Sequence, residues 1–104
     1  MNIQKLMKQA QDMQAGLAAK QEELAAREIE VTAGGDKVKV RANCAGEILE
    51  IKIDPALVDP SDVDFLEELV LKGVQDAIAK GKEESATEMG KLTGGMGMPG
   101  MPGI

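Results

Sequence analysis

Residues 28–53, EIEVTAGGDKVKVRANCAGEILEIKI, decide the fold. Apolar and charged side chains alternate through Ile29-Glu30-Val31, Val38-Lys39-Val40-Arg41 and Glu50-Ile51-Lys52-Ile53, the period of two that a half-buried strand requires. Two turn signals divide the stretch into strands over 28–33, 36–43 and 47–53. Gly34-Gly35 predicts a two-residue hairpin because both central positions can take positive φ, and Ala45-Gly46 marks a second tight turn. The first turn sets Val31 opposite Val38, Ile29 opposite Val40, Glu30 against Lys39 and Glu28 against Arg41. The second sets Val40 against Ile51, Val38 against Ile53, Arg41 against Glu50 and Lys52 against Lys39. Side-chain parity agrees across all three strands, so the apolar residues share one face of an antiparallel meander.

Helical patterns flank the meander on both sides. Upstream, residues 2–27 form one long helix that Asn2 can cap and no proline interrupts. Ile3, Leu6, Ala10, Met13, Leu17 and Leu24 give it a seam at three- and four-residue steps. Lys20 occupies a position of that seam and Gly16 weakens its middle, so a long autonomous coiled coil is not expected. Downstream, Asp54-Pro55 and Asp59-Pro60 punctuate a connection around Ala56-Leu57-Val58. A second helix starts at 61–64, with Asp64 and Glu67 spaced as a capping box and Ser61 as a rival cap. Its apolar face is Leu66, Leu69, Val70, Gly73, Val74, Ala77 and Ile78, and Gly81 is a candidate hinge before a more polar helical stretch over 82–92. The fold class is therefore α+β, an α-β-β-β-α core in one domain over residues 1–93. The Gly/Met/Pro tract 94–104 has no periodicity and is expected to be a disordered tail.

Lengths constrain assembly. A 26-residue helix spans about 39 Å and a seven-residue strand about 23 Å, so both helices must overhang the sheet. The overhang carries Ile3, Leu6 and Met7 at one end and Met89 and Leu92 at the other. A homodimer with long projecting N- and C-terminal helical arms accommodates them most simply.

Composition removes whole classes of chemistry. The chain has no histidine, which excludes histidine-based catalysis and histidine metal sites, and it contains no Walker-type phosphate loop. Asp59, Asp62 and Asp64 match no calcium-loop spacing and are accounted for by capping and the helix dipole. No catalytic, cofactor or metal site and no small-molecule substrate is expected. The lone Cys44 cannot form an internal disulfide, which suits a reducing cytosol, and it is expected to be a small structural residue. No signal peptide or membrane-spanning segment is present, so the expected location is the cytoplasm.

The net charge of −6 argues against a nucleic-acid partner until its distribution is considered. Residues 54–76 hold seven acidic side chains against one basic, while both ends of the chain are close to neutral or slightly basic. Lys37, Lys39 and Arg41 resemble a basic strand face, yet the register sets Glu28, Glu30 and Glu50 opposite or beside them, and cross-strand pairing explains the pattern. The arms offer better candidates: Lys5 and Lys8 share one face of the first helix, with Lys20 farther along, and Lys80, Lys82 and Lys91 lie on the second. With Phe65 as the sole aromatic residue, stacking on unpaired bases is disfavoured, so any DNA contact made by these six lysines is expected to be with the phosphates of double-stranded DNA.

The run Lys5-Leu6-Met7-Lys8-Gln9-Ala10-Gln11-Asp12-Met13-Gln14 resembles the N-terminal signature of the YbaB/EbfC family. The likeness continues through Val38-Lys39-Val40, Gly46-Glu47, Ile51-Lys52-Ile53-Asp54-Pro55, Leu66-Glu67-Glu68-Leu69-Val70 and the terminal Gly/Met/Pro tract, in the same order and nearly over the whole chain. It implies a tweezer-shaped homodimer and a DNA-binding protein of the nucleoid that alters DNA conformation and can affect gene expression. It also implies DNA contacts by charged residues of the helical arms, which motif position carries onto Lys5 and Lys8; Lys20, Lys80, Lys82 and Lys91 are assigned by arm position. The alternative is a protein-binding adaptor that uses the arm seam and the Met-rich tail.

Overall fold

Asn2 starts the first helix by accepting a hydrogen bond from the Lys5 backbone N–H at 3.2 Å, which satisfies a donor the helix leaves open. The computed structural model describes residues 2–94. In it α1 (Ile3–Ala26) leads into the strands β1 (Glu28–Ala33), β2 (Val38–Asn43) and β3 (Ile48–Ile53). A single 3-10 turn, Pro55–Leu57, follows, and then α2 (Val63–Gly94). The sheet is an antiparallel meander in the order β1-β2-β3. The α-β-β-β-α order and the meander are those expected. The tail expected over 94–104 lies, beyond Gly94, outside the described residues.

The second hairpin has the expected register, with Val40 opposite Ile51, Val38 opposite Ile53, Arg41 opposite Glu50 and Lys39 opposite Lys52. An irregularity next to Ala42 sets Ile48 opposite it and leaves Leu49 as an extra residue. The first hairpin corrects the expectation. Gly34, Gly35 and Asp36 all take positive φ, at 62°, 61° and 70°, and Lys37 N–H closes the loop on the Gly34 carbonyl at 3.3 Å. The turn therefore uses residues 34–37, β2 begins at Val38, and Val31 lies opposite Val40 rather than Val38. Asp tolerates the left-handed region better than most residues, so a third such position was available beyond the two glycines. The displacement is even, so no side chain changes face.

Val38 and Val40 are fully buried at the centre, with Leu24, Ile29, Ala33, Ala42, Cys44 and Ala77 around them. The helix α2 lies low on β1 and β2 because small residues face the sheet. A Cβ at Gly73 would stand 2.9 Å from Val40 Cγ2, and one at Gly81 would stand 2.9 Å from the Asn43 carbonyl oxygen. Gly81 is thus a buried point of close approach inside a continuous helix, not the hinge that its position suggested. The cap is corrected as well: Asp62 accepts from Phe65 N–H at 3.4 Å, while Ser61 is held by Asp59.

The buried Asn43 fixes where α1 leaves the sheet. Its Oδ1 accepts from the backbone N–H groups of Ala45 and Glu47 at 3.0 and 2.9 Å, and its Nδ2 donates to the Ala25 carbonyl at 3.1 Å. Cys44 N–H donates to the Leu24 and Arg27 carbonyls, each at 3.1 Å. The end of α1 is thereby tied to the β2–β3 turn, and the rest of the helix runs outward. The described residues extend over 71 × 26 × 17 Å, which carries the overhang that the helix lengths required.

Candidate nucleic-acid interface

The projecting arm is α1 set against the last turns of α2. Leu92 Cδ1 is 3.8 Å from the position a Cβ would take at Gly16, and farther in Glu88 meets Lys20 and Arg27. The two helices therefore run antiparallel, and the first half of α1 continues past the end of the described part of α2.

The seam is interrupted by an ion-pair hub. Glu88 is buried, with 9% of its side chain exposed. It accepts from Lys91 at 2.9 Å and from Lys20 at 3.3 Å, and Arg27 lies 3.5 Å away. Lys20 also donates to Glu23 at 3.0 Å, and Arg27 reaches Glu23 and Glu84 at 3.1 and 3.8 Å. Three cations and three carboxylates thus cancel. The Lys91 hydrogen bond, with that of Lys20 and the charge of nearby Arg27, holds the Glu88 carboxyl below its ordinary value of 4.5. The Glu23 hydrogen bond, followed by that of Glu88, raises Lys20 above 10.5. A carboxylate with a depressed folded value stabilises above its unfolded value, and that contribution is lost as pH falls through and below about 4.5. Thermal unfolding across this range should show the loss in the native chain. Glu88→Gln should start from a lower midpoint at neutral pH and depend less on acid; an identical acid profile in both would contradict the hub.

The six lysines expected to contact DNA do not form one patch. Lys20 and Lys91 are joined through Glu88, although the Lys91 side chain remains 70% exposed. Lys80 is exposed and its Nζ donates to the Glu30 carbonyl at 3.5 Å, beside a cleft of about 210 Å³ lined by Arg27, Glu83, Glu84, Thr87 and Glu88. Lys82 borders a different cavity with Leu24, Cys44 and Gly46. Lys5 and Lys8 stand exposed near the outer end of α1, and no carboxylate among the described residues pairs with either. Nearest along that helix is Lys20, about 18 Å from Lys8.

On the sheet, Arg41 is held by Glu28 at 2.6 Å and by Glu50 at 3.5 Å, and Lys37 by Asp54 at 3.4 Å. The Glu28 hydrogen bond is the main reason the Arg41 guanidinium is raised. Lys39 and Lys52 face each other across β2–β3 as an exposed like-charged pair. The acidic residues of the connection act as turn and cap acceptors; the Ser61 hydroxyl and then its N–H lower Asp59. Burial chiefly raises the Cys44 thiol, and Glu84 adds to it, which keeps it protonated.

Sequence reasoning missed Glu88 and Asn43. The signal for Glu88 was Lys20 itself, a cation in an apolar seam that needed a buried partner. Asn43 gave no signal, because its side-chain partners come from both the end of α1 and the β2–β3 turn.

Residues 1–96 match the YbaB/EbfC DNA-binding family. A nucleoid-associated protein of Akkermansia muciniphila is 55% identical over the whole of this chain and 98% of its own length. One from Clostridium novyi is 50% identical over 97% of this chain and 89% of its own, and one from Nocardia farcinica 43% over 99% and 94%. The fold matches the crystal structure of an uncharacterized Helicobacter pylori protein with a TM-score of 0.80, over 89% of this chain and 98% of that one. At 18% identity that likeness speaks for the fold alone.

Proposed function

Because this chain belongs to the YbaB/EbfC DNA-binding family, we propose that it acts as a homodimer at the nucleoid, in the cytoplasm, gripping double-stranded DNA between its helical arms. The observation that carries this reading is the contrast among the lysines. Lys20 and Lys91 are neutralised on Glu88, whereas Lys5 and Lys8 stand on the projecting half of α1 with no carboxylate partner among the described residues. An unpaired ammonium on a projecting helix can displace counterions from phosphate, which binds any duplex sequence and is weakened by salt. The single Phe65 offers no stacking platform for unpaired bases, which favours the duplex. With a net charge of −6, long-range steering is weak, and affinity depends on local contacts. Two arms holding one duplex would alter its path, and through that the expression of nearby genes. Duplex affinity should fall steeply and linearly on logarithmic axes as salt rises; affinity that ignores salt would refute the phosphate reading.

Dimerisation is supported by exposed apolar surface. Leu49, Ile51, Ile53, Val58, Val63, Phe65 and Leu71 are all exposed, and they lie on the edge strand β3, the connection and the start of α2. The helix covers β1 and β2 and leaves the edge strand open, so a second copy gains this surface by pairing. The chain should sediment at twice its 11.0 kDa, and Val63→Glu with Leu71→Glu should return it to that mass with its helix content retained. A native chain that sediments as a monomer would remove the two-armed grip.

A further inference from the structure

We propose that the outer half of α1 is a self-complementary docking surface, which joins the arm tips of two copies as an antiparallel helix pair. Outward of Gly16 the α1 seam has no cover among the described residues. Met13, Leu6 and Ile3 follow one another with Met7 beside them, and their exposures run from 43% to 67%. Ala10, between Leu6 and Met13, is exposed as well. A stripe of this kind on one helix face is the form that a packed helix presents to a partner.

The occupant follows from the order of residues along the stripe. Ile3, Leu6, Ala10 and Met13 are separated by steps of three, four and three, a spacing that reads the same in both directions. Two copies related by a twofold axis therefore interlock in one antiparallel register, with Ile3 opposite Met13 and Leu6 opposite Ala10, each pair occurring twice. The large Leu6 then meets the small Ala10, as close packing of facing positions requires. Met7 and Gln14 flank the stripe on one side and Gln9 and Gly16 on the other, so no charge borders it to repel a second copy. Lys8 lies on the opposite side of the helix and Lys5 well round from the stripe, so both keep their access to phosphate.

The fold prepares a place for the same register. Ile3 of the second copy is brought to Met13, and Met13 lines a groove of about 520 Å³ with Gln9, Ala10, Asp12, Gly16 and Leu92. Gly16 has no side chain to fill it. Ile3 is the most exposed apolar side chain of the stripe, at 67%, and the groove receives it. Ile3 to Met13 along α1 measures about 15 Å, so the contact is small beside a stable protein interface. The tips therefore associate at high concentration, or when neighbouring particles share one duplex and are held close. Linkage of particles on DNA rests on the proposed two-armed dimer; the tip contact itself does not.

Sedimentation of the full chain over a wide range of concentration tests the contact. The native chain should pass from dimer to particles of twice that mass and more as concentration rises. Leu6→Gln changes an exposed residue to a good helix former, and it should raise the concentration needed for this step at least about tenfold. Val63→Glu with Leu71→Glu, which removes the surface assigned to the dimer, should still pair at high concentration and lose that pairing when Leu6→Gln is added. Orientation is read by mixing a chain carrying Ile3→Cys with one carrying Met13→Cys under a mild oxidant. Disulfides between the two kinds of chain should exceed those formed by either kind alone, and the buried Cys44 should stay out of them. A native chain that remains a dimer at every concentration would overturn the proposal, as would a profile that Leu6→Gln leaves unchanged. Leu6→Gln that turned the dimer into a monomer would assign the stripe to the dimer's own interface and overturn it too. Equal crosslinking in the mixture and in the separate chains would overturn the antiparallel register. A native chain that is monomeric when dilute, and pairs at high concentration only with Leu6 intact, would keep the tip contact and sink the two-armed dimer.

Discussion

Replacing Lys5 and Lys8 together by glutamate is expected to weaken duplex binding at least about tenfold at low salt and to flatten its salt dependence. Each lysine seated on a phosphate contributes roughly one unit to the logarithmic salt slope. In a dimer both arms are changed, so the slope should fall by about four units. The substitution is benign to the fold: both residues are exposed in the first turns of α1, where a carboxylate interacts favourably with the helix dipole. A loss of affinity would therefore report on contact with DNA rather than on unfolding. Lys39→Glu with Lys52→Glu changes the same number of charges on the sheet and serves as the comparison. If both pairs weakened binding equally, total charge alone would govern affinity. If the α1 pair changed nothing, DNA would have to be held elsewhere.

Gly81→Ala should destabilise the fold by about 1–2 kcal/mol, although alanine is the better helix former by about 1 kcal/mol. The new methyl would stand 2.9 Å from the Asn43 carbonyl oxygen. That carbonyl cannot retreat freely: it accepts from Gly46 N–H at 3.4 Å, and the Asn43 side chain is anchored at both ends. The helix must rise from the sheet instead and loosen the contact of Ala77 with the core. Gly90→Ala provides the contrast, since a Cβ there meets no atom of the described residues within 4 Å and the change should stabilise by up to about 1 kcal/mol. Thermal midpoints separate the two, each kcal/mol moving a domain of this size by about 4–8 °C. A raised midpoint for Gly81→Ala would mean that the helix does bend there, as its sequence position first suggested.

The two glycines show how legibility divides. Both look alike in a helical pattern, and only the strand end beneath Gly81 distinguishes them. The lysines divide in the same way. Lys20 differed from Lys5 and Lys8 in the sequence only by its place in the apolar seam, and the partner that neutralises it, Glu88, lies 68 residues away. The register of the first hairpin failed by two residues because Asp36 took a conformation for which glycine was thought necessary.

The order of elements, the shared apolar face of the three strands and the overhang of the helices followed from the sequence alone. All three depend on the geometry of a residue and its near neighbours: a period of two, a period of 3.6 and a fixed rise per residue. The loop at 34–37, the close approach at Gly73 and Gly81 and the pairing of Glu88 were decided by the tertiary structure. Each depends on a distance between segments far apart in the chain, and such distances exist only once the helices and the sheet have packed.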